Sequence, residues 1–223
     1  MKNWLGITWT DRMGRSKVPL GKSRLFWAGV VVKLLLAMCF ASDYMRLQFA
    51  PFAEQFIGSG LQNPYDWFVE HGKGTEFPYP PLMLWLFSLP ALLLSPLTGA
   101  DPSTFGIWES FVFRIPLFLA DLAILLVLLR WLKTRIRQVL VWYWLSPVLI
   151  YINYFHGQLD AIPIALLFIS LYLLFKGRML LAYALLAASV ACKTNMVVVM
   201  PFYFLYHFRQ NKESLGQPLA GLV

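Results

Sequence analysis

The sequence predicts an all-α protein: a polytopic bundle of about six membrane-spanning helices, with a long first loop on the outer face that carries juxtamembrane helices. Three observations predict it. Hydrophobic residues are 59% of 223 and charged ones only 13%, where a soluble domain is about half apolar and about a quarter charged. The mean hydropathy is +0.61, and the apolar residues cluster in long runs. The basic residues gather between those runs, so the net charge of +8 reads as membrane topology and not as a nucleic-acid footprint. Cys39 and Cys192 lie in separate apolar runs, which indicates neither a disulfide framework nor a metal site.

The apolar runs are 25–41, 80–97, 107–129, 139–153, 161–175, 179–192 and 196–207. A crossing needs about 20 apolar residues, so several are short, and tilt, local thinning or helices that stop inside a cavity are expected. The Leu25–Cys39 stretch, interrupted by Lys33, reads as a signal anchor because no small-residue cleavage site follows it. Lys2, Arg12, Arg15, Lys17, Lys22 and Arg24 precede it, which places residues 1–24 in the cytoplasm as a basic N-terminus. Residues 42–106 hold two bases, Arg46 and Lys73, against six acids, and read as external. The cluster Arg130, Lys133, Arg135 and Arg137 marks the next cytoplasmic turn. Only a non-crossing 80–97, bounded by Pro80-Pro81 and holding Pro90 and Pro96, keeps that cluster inside. The remaining helices then alternate, closing a transmembrane module at 25–207 before a polar cytoplasmic tail, 208–223.

Charges in a bilayer cost several kcal/mol, so polar residues among the runs are the candidates for chemistry. Asp43 and Arg46 follow the first helix. They read as a carboxylate base with a phosphate-binding cation, or as an interfacial pair that ends the helix; position alone favours the second. Arg114 and Asp121 are seven residues apart and share a helix face. Each has a structural reading as half of an intramembrane ion pair, and Arg114 also suits an anionic headgroup. His156, Gln158 and Asp160 form a dense polar cluster whose His and Asp suit acid–base work or holding a metal, while Asp160 before Ala161-Ile162-Pro163 also suits a helix cap. Lys193 suits a lipid phosphate or snorkelling to the interface. The Phe77–Pro81 element, with Tyr79, suits a cavity wall or an aromatic belt. No P-loop, HExxH, GxSxG or CxxC pair occurs.

The order of these motifs resembles that of the polytopic GT-C glycosyltransferases. The windows are Asp43-Tyr44…Arg46, Tyr79-Pro80-Pro81-Leu82, Phe113-Arg114…Ala120-Asp121-Leu122, His156-Gly157-Gln158-Leu159-Asp160 and Cys192-Lys193-Thr194. The closest likeness is to the glucosyltransferases that extend lipid-linked oligosaccharides, with a weaker one to the mannosyltransferase of the GPI-anchor pathway. The resemblance covers residues 25–207. It departs where those relatives carry Asn and this chain has Asp160, and in lacking Asp-x-Asp after the first helix, so a metal-bridged donor is not supported. Relatives of that kind are commonly longer, and a truncated form holding the shared N-terminal module is one expectation.

The resemblance implies a membrane glycosyltransferase that moves a hexose from a polyprenyl-phosphate sugar, with inversion, to a glycan or lipid-linked acceptor on the extracytoplasmic face. Its membrane is the plasma membrane in a bacterium and the ER in a eukaryote. Asp43 is then the catalytic base. Arg46, Arg114, His156, Gln158, Asp160, Lys193 and Tyr79 bind substrate or lipid phosphate, with no cofactor or metal. A lipid-phosphate transporter would need the same cations without the base; an accessory membrane protein would need neither.

Overall fold

Short local signals set the helix ends in the computed structural model, which describes residues 8–10, 17–98 and 106–216, with side chains over 20–94 and 106–209. Apart from a three-residue antiparallel pair, β1 (Thr8–Thr10) and β2 (Lys17–Pro19), the described chain is helical. That pair lies in the basic N-terminus and was not anticipated, because three-residue strands are too short to show a period.

Helix α1 (Arg24–Cys39) starts where Ser23 Oγ accepts the Phe26 N–H at 3.3 Å, as an N-cap should. It ends at extended Phe40. The chain then bends by 60° into a π-helical stretch, Tyr44–Phe49, that continues as α2 (Ala50–Gly58). Asn63 caps α3 (Pro64–Glu70), accepting the Tyr65 N–H at 3.1 Å. Pro64 sits in the first turn, where its missing N–H costs nothing. Helix α4 (Pro81–Thr98) follows the proline pair. Helix α5 (Ile107–Trp131) opens with Glu109 reaching back to accept the Gly106 N–H at 2.8 Å.

The run expected at 139–153 is not one helix. It is built from α6 (Ile136–Val139), a π-helical Leu140–Trp144, α7 (Pro147–Ile150) and a π-helical Tyr151–His156. The break falls at Leu145-Ser146. Pro147 disfavours helical backbone at the residue before it, and Ser146 has ψ 119°.

Helices α8 (Ala161–Phe175) and α9 (Met179–Cys192) match their runs and pack as a hairpin. Gly177 takes φ +73°. Its N–H bonds Leu174 O and that of Arg178 bonds Leu173 O, both at 3.0 Å, the paired closure that stops a helix at a left-handed glycine. The run expected at 196–207 begins as a 3₁₀ turn, Thr194–Val199, and becomes α10 (Met200–Gly216), which extends past residue 207.

Helix α5 is the hub, packed against α1, α4 and α8. Its inner face buries Phe113, Leu117, Ile124, Leu125 and Leu129 in two adjoining cores. The outer surface is apolar too: Trp27, Val31 and Leu35 on α1, Leu180 on α9, and Phe202 and Leu205 on α10 are all exposed. Among the described residues α5 alone is long and apolar enough to cross a membrane, with the bent pair α1 and Tyr44–Gly58 as a second, broken candidate. Helices α8, α9 and Pro81–Leu94 of α4 are apolar but shorter.

Candidate functional site

The site is built on two π-helical stretches. Such turns accommodate an extra residue and often occur at functional sites. Tyr151–His156 ends at Gly157, whose φ of +78° is left-handed and suits glycine. The turn is closed by the Gln158 N–H on Ile152 O at 3.0 Å. A side chain at 157 would also crowd Met45 Cε at 3.2 Å. From the facing stretch, the Ser42 hydroxyl donates to His156 O. Together these contacts fix the loop His156–Asp160 against Ser42–Phe49.

Asp160 gathers three of the anticipated residues. Its Oδ1 accepts from Lys193 Nζ at 2.5 Å and from the Tyr79 hydroxyl at 3.4 Å; its Oδ2 accepts from Gln158 Nε2 at 3.1 Å. Asp160 occupies the first-turn boundary of α8 but makes no capping bond, so the helix-cap reading gives way to this cross-helix network. Lys193 reaches it because α9 ends there with extended backbone, φ −153°. Its ammonium also stands 5.8 Å from the centre of the Tyr79 ring. Tyr79 is held by the Tyr65 hydroxyl on its carbonyl at 2.7 Å. Burial, and secondly the Asp160 charge, push the Tyr79 hydroxyl well above the usual phenol range.

Beside this network lies a cavity of about 280 Å³. Four rings line it, Tyr44, Phe49, Tyr79 and His156, with Pro78 and the polar side chains of Gln48, Gln158 and Thr75. The rings brace one another: Tyr44 meets His156 edge-on at 5.0 Å, and Phe49 meets Tyr79 at 5.8 Å. Gln48 and Thr75 carry no signal in the sequence, where each is an isolated amide or hydroxyl.

Asp43 and Arg46 lie one and two residues from the cavity-lining Tyr44. Both are exposed, neither lines the cavity, and among the described residues neither side chain has a hydrogen-bond or ionic partner. The Asp43–Arg46 pair read from position therefore does not form.

Arg114 lies deeper, 1% exposed, behind Gly157. Its Nη1 donates to Ser110 Oγ at 2.8 Å, while Nε and Nη2 lack partners among the described residues. Asp121, about two turns along the same face of α5, pairs with Lys33 of α1 at 2.6 Å and accepts from Tyr143 at 2.7 Å and Tyr154 at 2.8 Å. Lys33 also lies over the Trp144 ring at 3.3 Å. This partner was missed, although a lone lysine in an apolar run was its visible sign. Among the described residues no three of His, Cys, Asp and Glu gather as a metal would need.

No curated protein and no solved structure matches the chain. A family model described as "Alpha-(1->6)-mannopyranosyltransferase, N-terminal domain" matches residues 62–209. It bears out a GT-C glycosyltransferase and does not support the glucosyltransferase likeness. The matched segment contains Tyr79, the α5 helix, the His156–Asp160 loop and Lys193, and on it the chain belongs to this family of mannosyltransferases of the GT-C type.

Proposed function

We propose that this chain is a multi-pass membrane mannosyltransferase that moves mannose from a polyprenyl-phosphate donor to the 6-hydroxyl of an acceptor sugar on the extracytoplasmic face. The family match supports the sugar and the linkage. The observation that carries the site is the convergence of Tyr79, Gln158 and Lys193, from three separate parts of the chain, on Asp160, in a network of which Tyr79 and Gln158 also line the cavity. Exposed apolar side chains over a charged, buried interior favour a lipid setting, because water would not tolerate that surface. With α8, α9 and the broken 136–156 segment as short or tilted crossings, the six-span reading and the external 42–106 loop are retained.

Two carboxylates are near the cavity, and their partners divide their roles. Asp160 is neutralised by Lys193 and serves to hold Tyr79 and Gln158 in place. Asp43 is unpartnered, exposed and next in sequence to the cavity-lining Tyr44, so we assign it as the base. It takes the proton from the acceptor hydroxyl as that oxygen bonds to the anomeric carbon and the C–O bond to the lipid phosphate breaks, which inverts the centre. The phosphate leaves with the bonding electrons, and a cation must stabilise it. Arg46, exposed and unpartnered two residues from the lining Tyr44 and Gln48, is assigned to that. Arg114 has unpaired donors for an anion but reaches one only when the Gly157 turn moves. His156 and Gln158 orient the substrate.

The test is transfer of labelled mannose from polyprenyl-phosphate mannose to an α-mannoside by the purified chain in proteoliposomes. An α-(1→6)-linked product is expected. A chain that is folded, inserted and supplied with both substrates but forms no product refutes the proposal.

A further inference from the structure

The cavity wall contains no Lys, Arg, Asp or Glu side chain, although four such residues lie close by. Lys193 is engaged by Asp160, Arg114 stands behind Gly157, and Asp43 and Arg46 lie one and two residues from Tyr44 without lining the cavity. A phosphate needs a cation in contact; apart from the His156 ring, this wall offers aromatic rings, amides and hydroxyls. At about 280 Å³ the space falls below the roughly 300–1,000 Å³ of drug-sized ligand sites. That suits a single sugar ring.

The polar groups in the wall are not equivalent. The Gln158 amide already donates to Asp160 at 3.1 Å. Gln48 and Thr75 have no hydrogen-bond partner among the described residues, and Gln48 is half-buried on the π-helical turn between Tyr44 and Phe49. An amide both donates and accepts, as does a hydroxyl, which is what a polyhydroxylated ring requires. The aromatic rings supply the apolar face that a pyranose's C–H groups cover.

We propose that this cavity binds one neutral pyranose ring, with Gln48 and Thr75 reading its hydroxyls. The proposal deepens the transferase reading and rests on it for the identity of the sugar. The ring belongs either to the donor or to the acceptor, and kinetics separate the two.

The experiment uses the full chain in nanodiscs, wild type, Gln48→Ala and Thr75→Val, each checked for unchanged thermal stability. Steady-state transfer is measured with donor and acceptor varied in turn. Saturation-transfer NMR is run with methyl α-D-mannopyranoside, with sugar-free polyprenyl phosphate as competitor. Gln48→Ala should raise one KM about tenfold, the fold-change of one lost hydrogen bond to a buried polar partner, with kcat changed less. Thr75→Val should raise the same KM. A raised acceptor KM assigns the acceptor ring and a raised donor KM the donor ring. In both cases the NMR signal of the free mannoside should vanish in Gln48→Ala. Unchanged KM values for both substrates overturn the proposal, as does displacement of the mannoside by polyprenyl phosphate. If the wild type transfers no sugar, the transferase reading fails and the NMR arm decides alone. Signal in the wild type that is lost in Gln48→Ala sustains the sugar site, and no signal in the wild type overturns it.

Discussion

Lys33→Met should destabilise the fold far more than its position in an apolar run suggests. The ammonium sits 2.6 Å from Asp121 Oδ2, with side-chain exposures of 0% and 1%. Removing it leaves a buried carboxylate with only the Tyr143 and Tyr154 hydroxyls. Breaking a buried pair from one side costs about 3–5 kcal/mol, because the remaining charge is uncompensated. For a chain of this size about 1 kcal/mol moves the melting temperature by about 2–4 °C, so the expected drop is about 6–20 °C. Neutralising both ends, Lys33→Met with Asp121→Asn, should restore more than half of that loss, since the amide still accepts from a tyrosine. The assay is thermal unfolding in detergent or bicelles, read as a double-mutant cycle. A Lys33→Met shift of less than about 2 °C, or a double variant whose loss equals the sum of the singles, would refute this reasoning.

Gly29→Ala should cost about 1–3 kcal/mol of stability, because its methyl group would fall inside the Trp144 indole, which stacks on Phe26 at 5.7 Å; thermal unfolding checks it. Glu54, on α2, has its carboxyl pushed up from 4.5 to about 7 by burial and, secondarily, by Glu109. The folded state therefore holds a proton that the unfolded chain has lost between pH 4.5 and 7, so stability should fall as pH rises through that window. Glu54→Gln should flatten that slope and raise the melting temperature above pH 7. Lys193→Met and Asp160→Asn should impair transfer to a similar extent, and the double variant no more than either single, because the two groups act as one pair at 2.5 Å; kcat/KM for the four proteins measures the coupling. Single cysteines at Lys73 and Lys133 should label from outside and inside respectively in intact cells. Labelling of both from one side would overturn the non-crossing assignment of α4.

Several of these features were legible in the residues, and others were legible but not read. The α8–α9 hairpin follows from two apolar runs about a Lys-Gly-Arg turn, because a left-handed glycine is the cheapest way to stop a helix. The break at 145–147 was equally visible in Ser146-Pro147 but was read through, since the apolar composition continues on both sides. Lys33 was noted only as an interruption, while its partner Asp121 is 88 residues away. No local pattern reports a contact of that span. The same limit applies to the site. Polarity marked Tyr79, Asp160 and Lys193 singly, but only the packing of α4, α5, α8 and α9 brings them onto one carboxylate. Gln48 and Thr75 acquire meaning only from the cavity they face.

The direct test of the account is mannose transfer by wild type and Asp43→Asn in the same proteoliposomes, with donor and acceptor saturating. Asp43 is exposed and unpartnered, so the variant should insert and melt like the wild type while kcat falls by at least the roughly 10²-fold of a lost general base. An Asp43→Asn protein that transfers mannose at the wild-type rate contradicts the assignment of this carboxylate as the base.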